Sequence, residues 1–157
     1  MLSHKIRRAT EEDLNDILRL FKSTVEAVNS KDYQPEQILV WKNRAICKDK
    51  WLEKIVDQYF IISINEFDVT GFASITKDGY LDFMYVSKDY QRMGIAKTLY
   101  RELETFARKQ KIDRIISEVS ITAKTFFEKL EFEVVDQQDV KIEGITLTNF
   151  KMQKQLF

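Results

Sequence analysis

A short glycine turn, set between an apolar run and an amphipathic one, constrains this chain more than any other feature. Tyr80-Leu81-Asp82-Phe83-Met84-Tyr85-Val86 reads as a strand, and Ile95, Leu99, Leu103, Phe106 and Ala107 fall on one face of a helix. Gln91-Arg92-Met93-Gly94-Ile95-Ala96 joins the two. A helix start has N–H groups with no partner inside the helix, and it carries the positive end of the dipole. Gly94 has no side chain to obstruct a close approach, and Ala96 has almost none. Such a junction suits a phosphate or pyrophosphate, with a plain tight turn as the competing reading. The turn has no GxGxxG pattern and no Gly-Lys-Ser/Thr follows it, so it is neither a dinucleotide fingerprint nor a P-loop.

The rest of the chain arranges itself around that junction. Ile6 to Ala9 reads as a short strand. Thr10 then caps a helix with acids in its first turn and Leu14, Ile17, Leu18, Phe21, Val25 and Val28 at helical spacing. Pro35 opens a second helix, and Asp49 is the expected cap of a third that carries Trp51, Leu52, Ile55 and Val56. Tyr59–Ile64 and Val69–Ile75 form a hairpin about residues 65–68, and a turn at Lys77-Asp78-Gly79 leads into Tyr80–Val86. After the helix from Ile95 to Lys109, Arg114–Ser120 reads as a strand, parallel to Tyr80–Val86 across a right-handed crossover. Thr122 is the expected cap of a short helix, and Phe132–Ile142 with Ile145–Met152 closes the chain as a hairpin. The fold class is α+β, with a mixed, mostly antiparallel sheet flanked by helices.

Bulk properties exclude several functions. The 157 residues are 44% hydrophobic with a formal net charge of zero. A packed core is therefore expected, while a global basic field for nucleic acid or an anionic membrane is not. Cys47 is the single cysteine, so no intramolecular disulfide forms. No signal-like core or membrane-length run is evident, and the expected location is cytoplasmic. His4 stands alone, so no metal site is expected.

The turn Gln91–Ala96 resembles the Gln/Arg-x-x-Gly-x-Gly/Ala signature of the GNAT superfamily of N-acetyltransferases, and Val86-Ser87-Lys88-Asp89-Tyr90 resembles its lead-in, with Lys88 where proline is common. The segment from Ser120 to Phe132 resembles the family's Asn-x-x-Ala-x-x-Phe-Tyr-x-x-x-Gly-Phe motif. Ala123, Phe126 and Phe132 match; Ser120 stands for asparagine, Phe127 for tyrosine and Glu131 for glycine. Asp32-Tyr33-x-Pro35-Glu36-Gln37-Ile38 and Leu147-Thr148-Asn149-Phe150 are similar to an uncharacterised bacterial subgroup. The element order matches over essentially the whole chain. The resemblance implies one GNAT-like acetyltransferase domain over residues 1–157, with acetyl-CoA as co-substrate, no metal, and a homodimer as a common family state. The implied reaction moves an acetyl group to a primary amine of a small molecule or protein. The alternative is an acetyl-CoA-binding sensor with little or no catalysis, motivated by Phe127.

The resemblance also distributes roles. The pyrophosphate falls to the backbone of Gln91, Arg92, Met93, Gly94, Ile95 and Ala96, with Lys97 and Thr98 adding donors. The pantetheine arm falls to the backbone edge of Met84, Tyr85 and Val86, with Ser120 and Phe127 beside it. An alkyl amine has a pKa of ~10.4, so its neutral form costs about 4–5 kcal/mol near neutral pH, and a base must assist. Strict alternation puts Tyr80, Asp82, Met84 and Val86 on one face, and Leu81, Phe83 and Tyr85 on the other. Asp82, an acid in an apolar strand, ranks first as the base, with a surface-facing acid as its competing reading, and Glu118 ranks second. Phe127 has no proton for the departing thiolate, so either Tyr85, Tyr80 or a water supplies one, or the thiolate leaves unassisted. Tyr33, Trp41 and Tyr80 are the expected acceptor contacts, with simple packing the competing role.

Overall fold

A computed structural model describes residues 4–157. In chain order come β1 (Lys5–Arg8), α1 (Leu14–Ala27), α2 (Pro35–Lys42), α3 (Lys48–Asp57), β2 (Tyr59–Ile64), β3 (Val69–Ile75) and β4 (Tyr80–Val86). Then follow α4 (Ile95–Lys109), β5 (Arg114–Ser120), α5 (Lys124–Lys129), β6 (Glu133–Ile142) and β7 (Ile145–Gln155). The strands form one sheet in the order β1-β2-β3-β4-β5-β7-β6. Only β4 and β5 run parallel, and α4 makes the crossover between them. None of the described helices is long and apolar enough to cross a membrane.

The sheet separates two cores. On one face Phe21 of α1 and Trp51 of α3 pack with Phe60, Ile62 and Phe72. On the other, Leu99, Leu103 and Ala107 of α4 meet Ile61, Ala73, Ile75, Leu81 and Met152. Burying a side chain of this size stabilises by ~1.5–3 kcal/mol. Helix α4 takes its place because its apolar residues recur at three- and four-residue intervals, and Arg108 and Lys109 suit the negative end of its dipole. Gly79 seats β4 beside β5. Its φ is +92°, its carbonyl accepts from Ile116 N–H at 3.0 Å, and a Cβ there would lie 2.7 Å from the Arg114 carbonyl oxygen. A side chain at this position must push the two strands apart.

The structure departs from the sequence reading in five places. The strict alternation of β4 fails. Ser74 opposes Phe83 but the next β3 residue, Ile75, opposes Leu81, so Asp82 is the extra residue of a β-bulge. The bulge shifts the parity: Leu81 joins Met84 and Val86 on the α4 face, while Phe83 and Tyr85 line the opposite core. Two caps also differ. Helix α3 begins at Lys48 after Cys47, leaving Asp49 inside its first turn. Helix α5 begins at Lys124, and the preceding turn is closed by Ser120 Oγ, not Thr122, accepting from Ala123 N–H at 3.1 Å. Finally, a 3-10 turn (Glu11–Asp13) precedes α1, and β7 runs on to Gln155, where Arg114 pairs with it.

Candidate active site

The site exists because β4 and β5 separate. They pair only at Tyr80 with Ile116 and at Leu81 with Ser117, and Ser117 Oγ donates to the Leu81 carbonyl at 2.8 Å. Beyond that tie a cleft of about 490 Å³ opens on the α4 face and one of about 410 Å³ on the α1–α3 face. Trp41, Asp82, Tyr85, Glu118 and Ser120 line both. The two clefts therefore meet through the gap in the sheet.

The α4-side cleft exposes backbone along two of its walls. Ser87 N–H donates to the Thr70 carbonyl at 2.9 Å, so by the two-residue period of an antiparallel ladder Tyr85 and Phe83 also face β3. Met84 and Val86 turn their N–H and C=O groups toward the empty edge. The backbone of Tyr85, expected on that edge, is committed to β3; its side chain reaches the cleft instead. Gln91 braces the turn: its Nε2 donates to the Val86 carbonyl at 2.7 Å, which Thr24 Oγ1 also approaches at 3.2 Å. Arg92 and Gly94 both hold positive φ, 60° and 80°, which curls the chain into the helix start. The first helical bond of α4 is Thr98 N–H to the Gly94 carbonyl, leaving the N–H groups of Ile95, Ala96 and Lys97 ahead of it. Gln91, Arg92, Gly94, Ile95, Ala96 and Lys97 all line the cleft. Met93 and Thr98 do not. Thr98 Oγ1 bends back to donate to the Gly94 carbonyl at 3.0 Å, so its proton is spent inside the helix.

Side chains dominate the other cleft. Its walls are aromatic: Phe21, Tyr33, Trp41, Trp51, Phe83 and Tyr85. Trp51 stacks on Phe83 with centroids 4.6 Å apart, and Trp41 meets Tyr33 edge-on at 5.1 Å. The Tyr33 hydroxyl donates to the Thr148 carbonyl at 2.7 Å and accepts from Ile121 N–H at 2.9 Å. Tyr33 thus ties β7 to the end of β5 and gives the cleft only a ring face.

The two acids occupy different settings at the junction. Asp82 Oδ2 accepts from Lys54 Nζ at 2.9 Å and from Gln58 Nε2 at 2.8 Å. Lys54 also lies 4.9 Å over the Phe83 ring. Glu118 is exposed to the clefts and makes no ion pair among the described residues. Burial, reinforced by the nearby charges of Glu118 and Asp82, pushes the Tyr80 hydroxyl well above its ordinary pKa. Burial does the same to Tyr85. Both phenols hold their protons at neutral pH. Tyr80 reaches only the α1–α3-side cleft, whereas Tyr85 reaches both. Phe127 is 2% exposed; its ring packs edge-on against Phe132 at 5.1 Å and lines the α4-side cleft.

Sequence reasoning missed Lys54 and Gln58, the partners of Asp82, and the cleft-lining Arg44 and Lys50. No local motif marks them, since they come from helices and a loop far from β4 in the chain. The one available signal was Asp82 itself, whose polarity conflicts with unbroken alternation.

Comparisons with known proteins agree with this architecture. Residues 29–154 match the family model of the acetyltransferase (GNAT) domain. The chain is 32% identical over 148 residues to the uncharacterised N-acetyltransferase YafP of Escherichia coli K12, covering 94% of this chain and 93% of YafP. A GCN5-related N-acetyltransferase from Rhodopseudomonas palustris superposes with a TM-score of 0.94 at 27% identity, over 99% of this chain and 98% of that one. PaiA N-acetyltransferase from Thermoplasma acidophilum, solved in complex with coenzyme A, superposes at 0.80 with 24% identity, over 98% and 99% of the two chains. The matched family model and the YafP relation together place the chain in the GNAT family, as an N-acetyltransferase.

Proposed function

We propose that the chain, acting as one domain, moves the acetyl group of acetyl-CoA to a primary amine held in the α1–α3-side cleft. The observation that carries this reading is the meeting of two clefts of different construction at Asp82, Tyr85, Glu118 and Ser120. The α4-side cleft fits the co-substrate. Met84 and the Val86 N–H offer an unpaired strand edge for an amide-bearing arm, while the Val86 carbonyl is held by Gln91 Nε2. The Gly94 turn offers N–H groups and the helix dipole for the pyrophosphate, with Arg92 and Lys97 beside it. PaiA, whose fold is similar, was solved with coenzyme A.

Glu118 is the group assigned to take the amine proton, directly or through one water. It lines both clefts and makes no ion pair among the described residues, with the Tyr80 hydroxyl as a polar neighbour. Asp82 is committed through Oδ2 to Lys54 and Gln58, so it fixes the field at the junction and orients the acceptor with Oδ1. The amine nitrogen forms its bond to the acetyl carbonyl carbon, and the carbon–sulfur bond breaks. Tyr85, protonated and reaching both clefts, supplies a proton to the leaving thiolate. With a thiol pKa near ~8.5 that help is modest in value. Phe127 packs beside the arm without a proton of its own.

The test is melting temperature with and without acetyl-CoA, run beside thiol release across a panel of amines. A clear rise with acetyl-CoA and thiol release for one amine class is expected. A larger rise with other nucleotides than with acetyl-CoA would overturn the reading.

A further inference from the structure

The acceptor-side cleft has charged groups of opposite sign at its two ends. Asp82 and Glu118 sit on the sheet where the clefts meet. Arg44, Lys50 and Lys54 sit at the helical rim, on the 3-10 turn Asn43–Ile46 and on α3. Lys54 is neutralised by Asp82. Arg44 and Lys50 are exposed and make no ion pair or side-chain hydrogen bond among the described residues. Arg44 is not a loose surface charge at its base, because its carbonyl accepts from the Trp51 indole at 3.1 Å. Its charge also reaches inward, opposing at the Tyr80 and Tyr85 hydroxyls the upward push that burial gives them. Between the two ends the walls are aromatic and aliphatic, with Val140, Ile142 and Leu147 of the β6–β7 hairpin opposite the helices. A simple alkyl amine or polyamine would leave two cations facing its apolar or cationic tail.

We propose that the acceptor is a zwitterion of amino-acid type: its amine lies at Glu118 and Asp82, its compact apolar body lies along the aromatic wall, and its carboxylate or phosphate-like anion lies against Arg44 and Lys50. This rests on the acetyl-transfer reading for the direction in which the amine points. Arginine presents a donor fork that matches such anions, and charge-assisted hydrogen bonds are the strong ones.

The chain's two tryptophans, Trp41 and Trp51, both line this cleft, so intrinsic fluorescence reports its occupancy without turnover. Phenylalanine, phenylalaninamide and the phosphonate analogue of phenylalanine are titrated at about pH 6, below the ~7.7 of an α-amine, so each enters as an ammonium. The acid or the phosphonate is expected to bind at least about tenfold more tightly than the amide. Whichever is tighter names the anion. Arg44→Gln with Lys50→Gln, both at exposed positions, should erase most of that preference and leave the acetyl-CoA melting shift unchanged. Equal affinity for acid and amide, binding of none of the three, or a preference that survives both substitutions would overturn the proposal. Loss of the acetyl-CoA shift in the unsubstituted protein would overturn the acetyl-transfer reading instead.

Discussion

The two clefts that meet at the β4–β5 gap are made of different material. The α4-side cleft draws its candidate ligand-binding polar groups from backbone: the edge at Met84 and the Val86 N–H, and the N–H groups that open α4 at Ile95–Lys97. The opposite cleft is built of side chains from α1, the α2–α3 connection, α3, β4, β5 and the β6–β7 hairpin. A backbone site depends on conformation and tolerates many side chains. A side-chain site depends on the identities of residues that only the tertiary fold brings together.

The sharpest way to break this comparison is to change chemistry without changing either wall. Glu118→Gln should lower kcat by about 10²–10³ while the affinity for acetyl-CoA stays within about twofold. Asp82→Asn should fall less, because Lys54 and Gln58 keep its place occupied. If Asp82→Asn is the more damaging of the two, the base is Asp82 and the ranking drawn from the sequence stands. On the backbone side, Gly94→Glu should weaken acetyl-CoA binding by about 100-fold. No atom lies within 4 Å of a Cβ placed there, so the fold survives, at a cost of ~1–2 kcal/mol for a side chain at φ +80°. Gly94→Ala carries the same strain without the charge and should lose less than about tenfold. Calorimetric affinities beside circular dichroism separate the two effects.

How much was legible in the sequence follows the same divide. The turn, the strand before it and the helix after it are contiguous, and each announces itself by a local pattern. The whole element order is therefore readable, as is the set Gln91, Arg92, Gly94, Ile95, Ala96 and Lys97 on one cleft wall. Thr98 was misplaced because its first-turn position says nothing of where the hydroxyl turns, and it turns back to Gly94. The bulge at Asp82 was missed because alternation is a rule about regular strands, while a bulge is set by the neighbouring strand. Lys54 and Gln58 lie 28 and 24 residues before Asp82, and no periodicity connects them to it. Tyr33 does line the α1–α3-side cleft, but only the structure shows its hydroxyl consumed by Thr148 and Ile121.

A control outside both clefts separates stability from function. Glu104 on α4 accepts from Lys154 Nζ at 2.8 Å, Tyr100 Oη at 2.7 Å and Arg108 Nε at 3.1 Å. Burial alone would raise its pKa, but these three bonds outweigh that and hold it at about 2. A depressed folded-state value means stability that is fully present above the ordinary ~4.3 and lost as pH falls toward about 2. Glu104→Gln should therefore cost about 1 kcal/mol at neutral pH, less than the full shift because solvent screens a part-exposed carboxylate, with the gap to the unsubstituted protein closing between about pH 4 and pH 2. Both cleft readouts should be unmoved. Lys54→Met comes next, at about tenfold in kcat/KM, because it frees Asp82 while keeping apolar contact with Phe83.

The smallest expected effect is the most informative about how the two walls share the chemistry. Phe127 stands where the family motif has tyrosine, and its ring is 2% exposed against Phe126 and Phe132. Phe127→Tyr adds a hydroxyl to a packed ring at the edge of the α4-side cleft. If Tyr85 already supplies the thiolate proton from the gap between the clefts, a second phenol adds little. The expected change in kcat is then less than about fivefold, and Tyr85→Phe alone should lower kcat by more than Phe127→Tyr raises it. In the double substitution Tyr85→Phe with Phe127→Tyr, recovered turnover would show that the proton can come from either wall. No recovery would mean that the donor must stand at the gap itself. A large gain from Phe127→Tyr in the otherwise unsubstituted protein would sink the assignment to Tyr85, since it would mean that thiolate departure had been waiting for a donor.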